Sequence, residues 1–379
     1  MSIRAKLRST TALRAAGKPR HHRQPLRTVL LVLLAVVILV PAAGGAYLFS
    51  LGHAFDSQAK VIDNPFPPES NRPQPRSPSN AAAAEGAGSG QAAGAAAAST
   101  APAARGQALN ILVMGSDSRG ATVDTALSGS SSDQRADTLM LVHIPADRAK
   151  IFAISLMRDL WVDIPGHGRA KINAALAYGG VPLMVQTVET MFNQRVDHVA
   201  MVDFEGFVGL TDAVGGVEIN IAQPFVSTHE RFSYQQGRSL LDGEHALEFV
   251  RERYAFADGD YQRVRNQQAF VRGLLAKNLS PETLLNPVKA HRAVTAMAPF
   301  ISVDSGLNAA ALGNLALELR NVRADGMEMF TLPTLGVGTS PDGQSIVLPD
   351  QKAISGIGDA LAGDSLDNYV ANGAPPDGH

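Results

Sequence analysis

Arginines and aspartates at the ends of apolar runs are the residues of this sequence best placed for chemistry. Asp117 follows the first such run, Arg135 and Asp137 flank the start of the second, and Arg158 and Asp159 follow the third. Ligands of open α/β sheets bind outside the strand ends, so these positions are candidate site residues. Each of them also reads as a turn residue or a member of a surface ion pair. Arg135 and Asp137 are two apart in an extended segment and share a face. A cation beside an anion there is either a simple ion pair or half of a site that holds a phosphate and its metal.

A second constellation runs from Arg251 to Gln268. In an extended strand Arg251 and Arg253 point the same way. Two guanidinium groups side by side repel unless an anion lies between them, and their bidentate fork suits phosphate oxygens. Arg263 and Gln267 then fall one turn apart on a helix, and the same side becomes apolar at Phe270 and Leu274. A polar helix end is thereby held by a buried remainder. Asp260 is a site carboxylate or the N-cap of that helix.

Other chemistries are excluded or unsupported. There is no cysteine, hence no disulfide scaffold, thiol nucleophile or cysteine-ligated metal. No lysine-containing Gly-rich phosphate loop, Gly-x-Ser-x-Gly elbow or His-Glu-x-x-His helix occurs. The histidines are dispersed, and His143, His198 and His245 sit among apolar neighbours and read as structural. Trp161, the one tryptophan, lines an apolar pocket or belongs to the core. A formal net charge of -2 names no partner.

These residues need a scaffold, and hydrophobic periodicity predicts one. Strands are expected over 109–114, 137–144, 151–156, 199–202, 217–221 and 327–332, and helices over 172–177, 182–192, 204–213, 243–250, 261–277, 282–297 and 307–319. Strands alternating with helices predict an α/β domain whose central sheet is covered on both faces.

The N-terminus is organised differently. Residues 1–27 form a basic arm with eight Lys or Arg and no acid, and residues 28–52 form an apolar stretch of membrane-spanning length. The Lys/Arg excess predicts a cytoplasmic N-terminus and an extracytoplasmic remainder; a cleaved signal peptide is the competing reading. Residues 53–107 are expected to be a flexible linker, because their Pro, Ala, Gly and Ser content offers little apolar surface to offset the entropy of ordering. A flexible chain from 62 to 105 has a root-mean-square reach of about 35 to 40 Å. The catalytic domain is assigned to 108–350, and 351–379 to a C-terminal end and tail.

With these residues in place, the chain resembles the LytR-CpsA-Psr family of cell-wall glycopolymer transferases. The matching strings are the run from Ile111 through Asp117 to Arg119, Arg135-Ala136-Asp137 with the strand after it, Ile154 to Gly166 including Arg158-Asp159, and Lys171 to Ala175. Val214 to Val217, Leu241 to Leu247 and Arg251 to Gln268 complete the series, in the family's order over about 109 to 350. The resemblance implies a three-layer α/β/α domain with a central mixed sheet, preceded by one transmembrane helix and a disordered linker. It implies a polyprenyl diphosphate bound in an apolar pocket with Mg²⁺ at its mouth. Asp117 and Asp137 resemble the carboxylates that hold the metal. Arg135, Arg158, Arg251, Arg253 and Arg263 resemble the arginines around the diphosphate. Lys171, Asp260 and Gln267 match further positions lining the site, and Arg119, like Lys171, matches a substrate-binding one. The family usually has Pro where Met157 stands, and often a small or apolar residue where Tyr261 stands. Neither departure removes a group that touches phosphate.

The implied function is a single-pass cell-membrane phosphotransferase. It moves a glycopolymer from a polyprenyl-diphosphate carrier to a peptidoglycan hydroxyl and releases polyprenyl phosphate, with Asp260 as candidate general base and membrane lipid as a further partner. A hydrolase using water as acceptor and a non-catalytic lipid carrier are the alternatives. A membrane-bound transcriptional regulator, an older label for the family, is disfavoured. The cytoplasmic arm is too short for a helix-turn-helix, and no specific nucleic acid is implied.

Overall fold

The computed structural model describes residues 52–75, 106–116, 135–278, 287–319, 321–322 and 326–373. Its contacts divide the chain between Leu48 and Phe49, and all the described residues belong to the second unit. Residues 28–51 of the expected membrane span, and the site candidates Asp117 and Arg119, lie outside the described residues. Among the described residues no helix is long and apolar enough to cross a membrane.

A seven-stranded mixed sheet forms the middle layer. Its strands are β1 (Lys60–Ile62), β2 (Leu109–Ser116), β3 (Ala136–Ile144), β4 (Ile151–Leu156), β7 (His198–Asp203), β12 (Ser302–Asp304) and β13 (Met327–Thr331), in the order β1-β12-β7-β2-β3-β4-β13. β2 runs antiparallel to β3 and parallel to β7, while β3 and β4 are antiparallel. Every residue of β4 is buried, as expected of a strand covered on both faces.

Side-chain alternation sorts the two faces. Leu112 and Met114 of β2 join the main core with α1 (Ala174–Phe192) and α7 (Gln351–Ala362). Val113, between them, meets α4 (Asp260–Asn278), and Ile111 meets α6 (Ala309–Glu318) on the other face. The result is the expected α/β fold with a central mixed sheet. The separate helical patterns at 172–177 and 182–192 are two halves of α1, broken at Gly179 and Gly180, with Pro182 opening the second half.

A smaller core lies beside the sheet. Strands β8 (Val217–Ile221) and β11 (Gly237–Leu241) pair, and their apolar side packs on α3 (Gly243–Arg251) and Phe270 of α4. Gly273 makes that contact possible, because a Cβ there would lie 2.4 Å from the carbonyl oxygen of Glu218. Helix α2 (Phe204–Ala213) is capped by Asp203, whose carboxylate accepts from Gly206 N at 2.6 Å.

Two expectations about boundaries are corrected. First, the stretch assigned to the flexible linker from residue 53 includes a docked strap. Phe55 is buried against Ala298 and Val303, and β1 extends the sheet by pairing in parallel with β12. Arg72 donates through Nε and Nη2 to Oε1 of Glu189, at 3.0 and 2.6 Å, and through Nη2 to the Val196 carbonyl at 2.7 Å. Its guanidinium covers the Phe66 ring at 4.7 Å. A few large apolar residues and one arginine thus outweigh the polar composition. Residues 76–105 of that expected linker lie outside the described residues. Second, 351–379 is not a tail throughout, since Ile354, Ile357 and Leu361 of α7 complete the main core.

Glu189 has a fully buried side chain, so loss of Arg72 leaves a buried carboxylate short of partners. Arg72→Ala is expected to destabilise the strap by about 1–3 kcal/mol. Limited proteolysis checks this: cleavage within 60–75 should appear in the variant under conditions where the parent chain resists.

Candidate active site

A cavity of about 380 Å³ opens where β2 and β3 meet α2, α3 and α4. Its depth is apolar. Phe204, Phe207 and Leu210 recur every three residues along α2, Phe270 and Leu274 lie one turn apart on α4, and Val113 comes from the sheet. Its mouth is polar, lined by the charged Asp137, Arg158, Arg251, Arg253 and Arg263 and by the amide of Gln267.

The elements explain the placement. Arg263, Gln267, Phe270 and Leu274 form one stripe on α4, polar at the N-terminal end and apolar below. Gly259, at φ +49°, turns the chain into that helix. Asp137 and Arg158 stand at the ends of β3 and β4 and form a close ion pair. Gln267 Nε2 approaches the Asp137 and Val250 carbonyls at 3.5 and 3.4 Å.

Arg251 and Arg253 reach the cavity by a route other than the expected strand. They are not in an extended strand: Arg251 ends α3, its guanidinium 4.4 Å from the centre of the Phe204 ring, and Glu252 is the C-cap. The Glu252 carboxylate accepts from the backbone N–H groups of Thr228, Arg253 and Ala255 at 2.5, 2.9 and 3.0 Å. That buried carboxylate fixes the turn, so both arginines line one mouth.

Next to Arg253 and Arg263 lies a pair of carboxyls, Asp260 and Asp159. Asp260 accepts from Arg253 Nη1 at 3.4 Å and pairs with Arg263 Nη2 at 3.2 Å. Asp159 pairs with Lys171 Nζ at 3.2 Å and lies 3.6 Å from Arg158 Nε. The two carboxyls line the same neighbouring cavity and influence each other's protonation. Burial raises Asp260 above the ordinary carboxylate range; Arg263 opposes this and Asp159 reinforces it. Burial also pushes Asp159 up, but Asp260 and the charges of Arg158 and Lys171 prevail and hold it below that range.

The arginines keep donors in reserve. The Nε atoms of Arg158 and Arg263 are buried without a hydrogen-bond partner. Arg263 is 5% exposed, and burial together with Arg158 lowers its proton affinity. An orphaned buried N–H is costly, and an anion between the two guanidinium groups would satisfy both and relieve their repulsion.

The remaining expectations fall elsewhere. Arg135 is exposed just before β3 and does not line the cavity. Lys171 lines a neighbouring cavity together with Asp260. Trp161 is half-buried at the start of β5 (Trp161–Ile164), in neither cavity. His143 is buried between Asn110 and Asp364, and His198 and His245 pair with Asp304 and Asp242. Asp159 was expected only as a strand-end candidate beside Arg158, and Glu252 and Tyr254 lie inside the Arg251 to Gln268 constellation without an expected role of their own.

An apolar cleft with a guanidinium-lined mouth suits an amphiphile with an anionic head. The LytR_cpsA_psr family model matches residues 79–362, and the chain belongs to that family. LcpB of Corynebacterium glutamicum, named for cell wall biosynthesis, is 38% identical over 216 residues, 56% of this chain and 52% of LcpB. The chain thus matches about half of that relative's length. TagU of Enterococcus faecalis, a polyisoprenyl-teichoic acid–peptidoglycan teichoic acid transferase, is 31% identical over 241 residues, 62% of this chain and 75% of TagU. The fold is that of B. subtilis TagV, with a TM-score of 0.58 at 21% identity over 68% of this chain and 97% of TagV.

Proposed function

We propose that this protein transfers a glycopolymer, as its phosphoester, from a polyprenyl-diphosphate carrier to a peptidoglycan hydroxyl. The observation that carries the reading is the pair of buried, unspent arginine donors at the mouth of an apolar cavity. The cavity takes the proximal part of the prenyl chain, and Arg158, Arg251, Arg253 and Arg263 hold the diphosphate. The acceptor oxygen forms a bond to the glycan-bearing phosphorus, the bridging P–O bond breaks, and polyprenyl phosphate leaves. Asp260 takes the hydroxyl proton. Fixed guanidinium groups stabilise the charge that develops on the phosphoryl oxygens, the main requirement of such a step.

Mg²⁺ fits this donor set. Among the described residues no group of three or more metal-binding side chains occurs, but Mg²⁺ needs only one or two carboxylates alongside phosphate oxygens and water. Asp137, which lines the cavity, would hold it, with Asp117, outside the described residues, as its expected partner. The ion would neutralise diphosphate charge. We place the chain in the cell membrane, anchored by residues 28–52, with the catalytic domain outside.

Native mass spectrometry of the detergent-extracted full chain tests the reading. A copurifying prenyl diphosphate bearing sugar, lost in Arg158→Ala, is the expected result. A bound species without phosphate would overturn it.

A further inference from the structure

The transfer reading leaves open how the acceptor arrives, and a second cavity beside the first bears on this. Its volume is about 590 Å³, and it shares Arg253 and Tyr254 with the first cavity as a common wall. Asp159, Lys171 and Asp260 line its inner end. The outer wall is the hairpin of β14 (Thr334–Thr339) and β15 (Ser345–Pro349).

That wall is pinned to the site. Val347 N donates to the Asp159 carbonyl at 2.9 Å, and the hydroxyls of Tyr261 and Thr334 are hydrogen-bonded at 2.6 Å. The rim combines hydrogen-bonding groups with exposed apolar surface. Tyr254 is 73% exposed with its ring 4.4 Å from the Arg253 guanidinium carbon, and Val337 across the cavity is 65% exposed. A pyranose has the matching chemistry, with an apolar C–H face for an aromatic or aliphatic surface and hydroxyls for carboxylates and cations.

In-line displacement requires the attacking oxygen to come from the side away from the departing lipid phosphate. The apolar cavity accounts for the lipid. Across the Arg253–Tyr254 wall, the second cavity ends at Asp260, whose other contact is Arg263 of the first cavity.

We infer that the second cavity binds the acceptor glycan, with its hydroxyl at Asp260, and that Asp159 is a positioning residue that holds Asp260 in place for this hydroxyl. The inference rests on the transfer reading. Asp159 acts from the turn after β4, braced by Lys171 and Arg158. The acceptor's O–H proton passes to Asp260, which then donates a hydrogen bond to the ionised Asp159. The groups facing Asp260 are Asp159 and Arg158 from that turn, Arg253 from the loop after α3, and Arg263 from α4.

The test uses the full chain in detergent, a short-prenyl diphosphate saccharide as donor and soluble peptidoglycan strands as acceptor. Ser345→Trp and Val337→Arg obstruct the second cavity from exposed strand positions. Each should raise the acceptor KM at least tenfold with the donor KM unchanged. Using both keeps the test valid if one variant misfolds. Asp159→Asn should lower kcat and move the acid limb of the pH profile to lower pH, because the negative neighbour that raises the proton affinity of Asp260 is gone. Asp159→Glu should restore part of the rate. Unchanged acceptor KM in a folded obstruction variant overturns the cavity assignment. An unmoved pH profile in Asp159→Asn overturns the role of Asp159. Absence of acceptor-dependent release from the parent chain overturns the transfer reading itself, and with it this inference.

Discussion

Arg263→Ala is expected to slow transfer by a factor of about ten to a hundred or more, while Arg265→Ala changes it by no more than about twofold. The two side chains leave α4 on different sides. Arg263 lines the cavity, is almost fully buried and retains an orphaned Nε donor. Its loss removes a charge-assisted bond to phosphate, worth about 1.5–3 kcal/mol. Arg265 is turned away, with Nε donating to Gln262 at 2.9 Å and its guanidinium paired with Asp258. Such a partly exposed pair contributes at most about 1 kcal/mol, and to stability. Arg263→Lys keeps the charge and loses the fork, so it should restore only part of the rate. Initial rates with a defined lipid-diphosphate donor, on variants whose melting curves match the parent, check this. Greater damage from Arg265→Ala would refute the register of α4 toward the site.

Glu252→Ala is expected to destabilise the domain by about 1–3 kcal/mol, because three part-buried backbone donors lose their shared, buried acceptor. These are the N–H groups of Thr228, Arg253 and Ala255. The same change should release the turn carrying Arg253. Urea unfolding monitored by circular dichroism would show the loss as a lower midpoint. Burial pushes the Glu252 carboxyl up, but bonds from Thr228, Ala255 and Arg253 outweigh it and hold it below its ordinary range. A depressed native value means this stabilisation is fully present above the unfolded value, about 4.3, and is lost as pH falls through the folded one. Glu252→Gln should flatten the dependence of stability on pH below that point, and an unaltered acid limb would remove Glu252 from this role.

Much of the scaffold was legible because its signals are local. The apolar runs of β2, β3 and β4 and the polar-to-apolar stripe of α4 are periodic patterns inside single elements. Helix α1 even showed its break, since the Gly179-Gly180 pair interrupts two helical patterns. The arginine pair was misplaced because two residues separated by one can share a cavity from a strand or from a helix end followed by a cap. Only the hydrogen bonds of Glu252 distinguish these. β1 and β12, at three residues each, are too short for periodicity to register, so the strap read as linker. The second cavity was invisible for another reason. Its outer wall, the β14–β15 hairpin, is far in sequence from Asp159 and Asp260, and only the folded sheet brings them together.

Product analysis tests the central claim most directly. The full chain in detergent is mixed with a prenyl-diphosphate-linked saccharide and peptidoglycan strands, and both products are weighed by mass spectrometry. The account predicts strands heavier by one phosphosaccharide, joined through a phosphoester, and prenyl monophosphate in equal amount. Donor cleavage that yields only free phosphosaccharide in the presence of strands would contradict it.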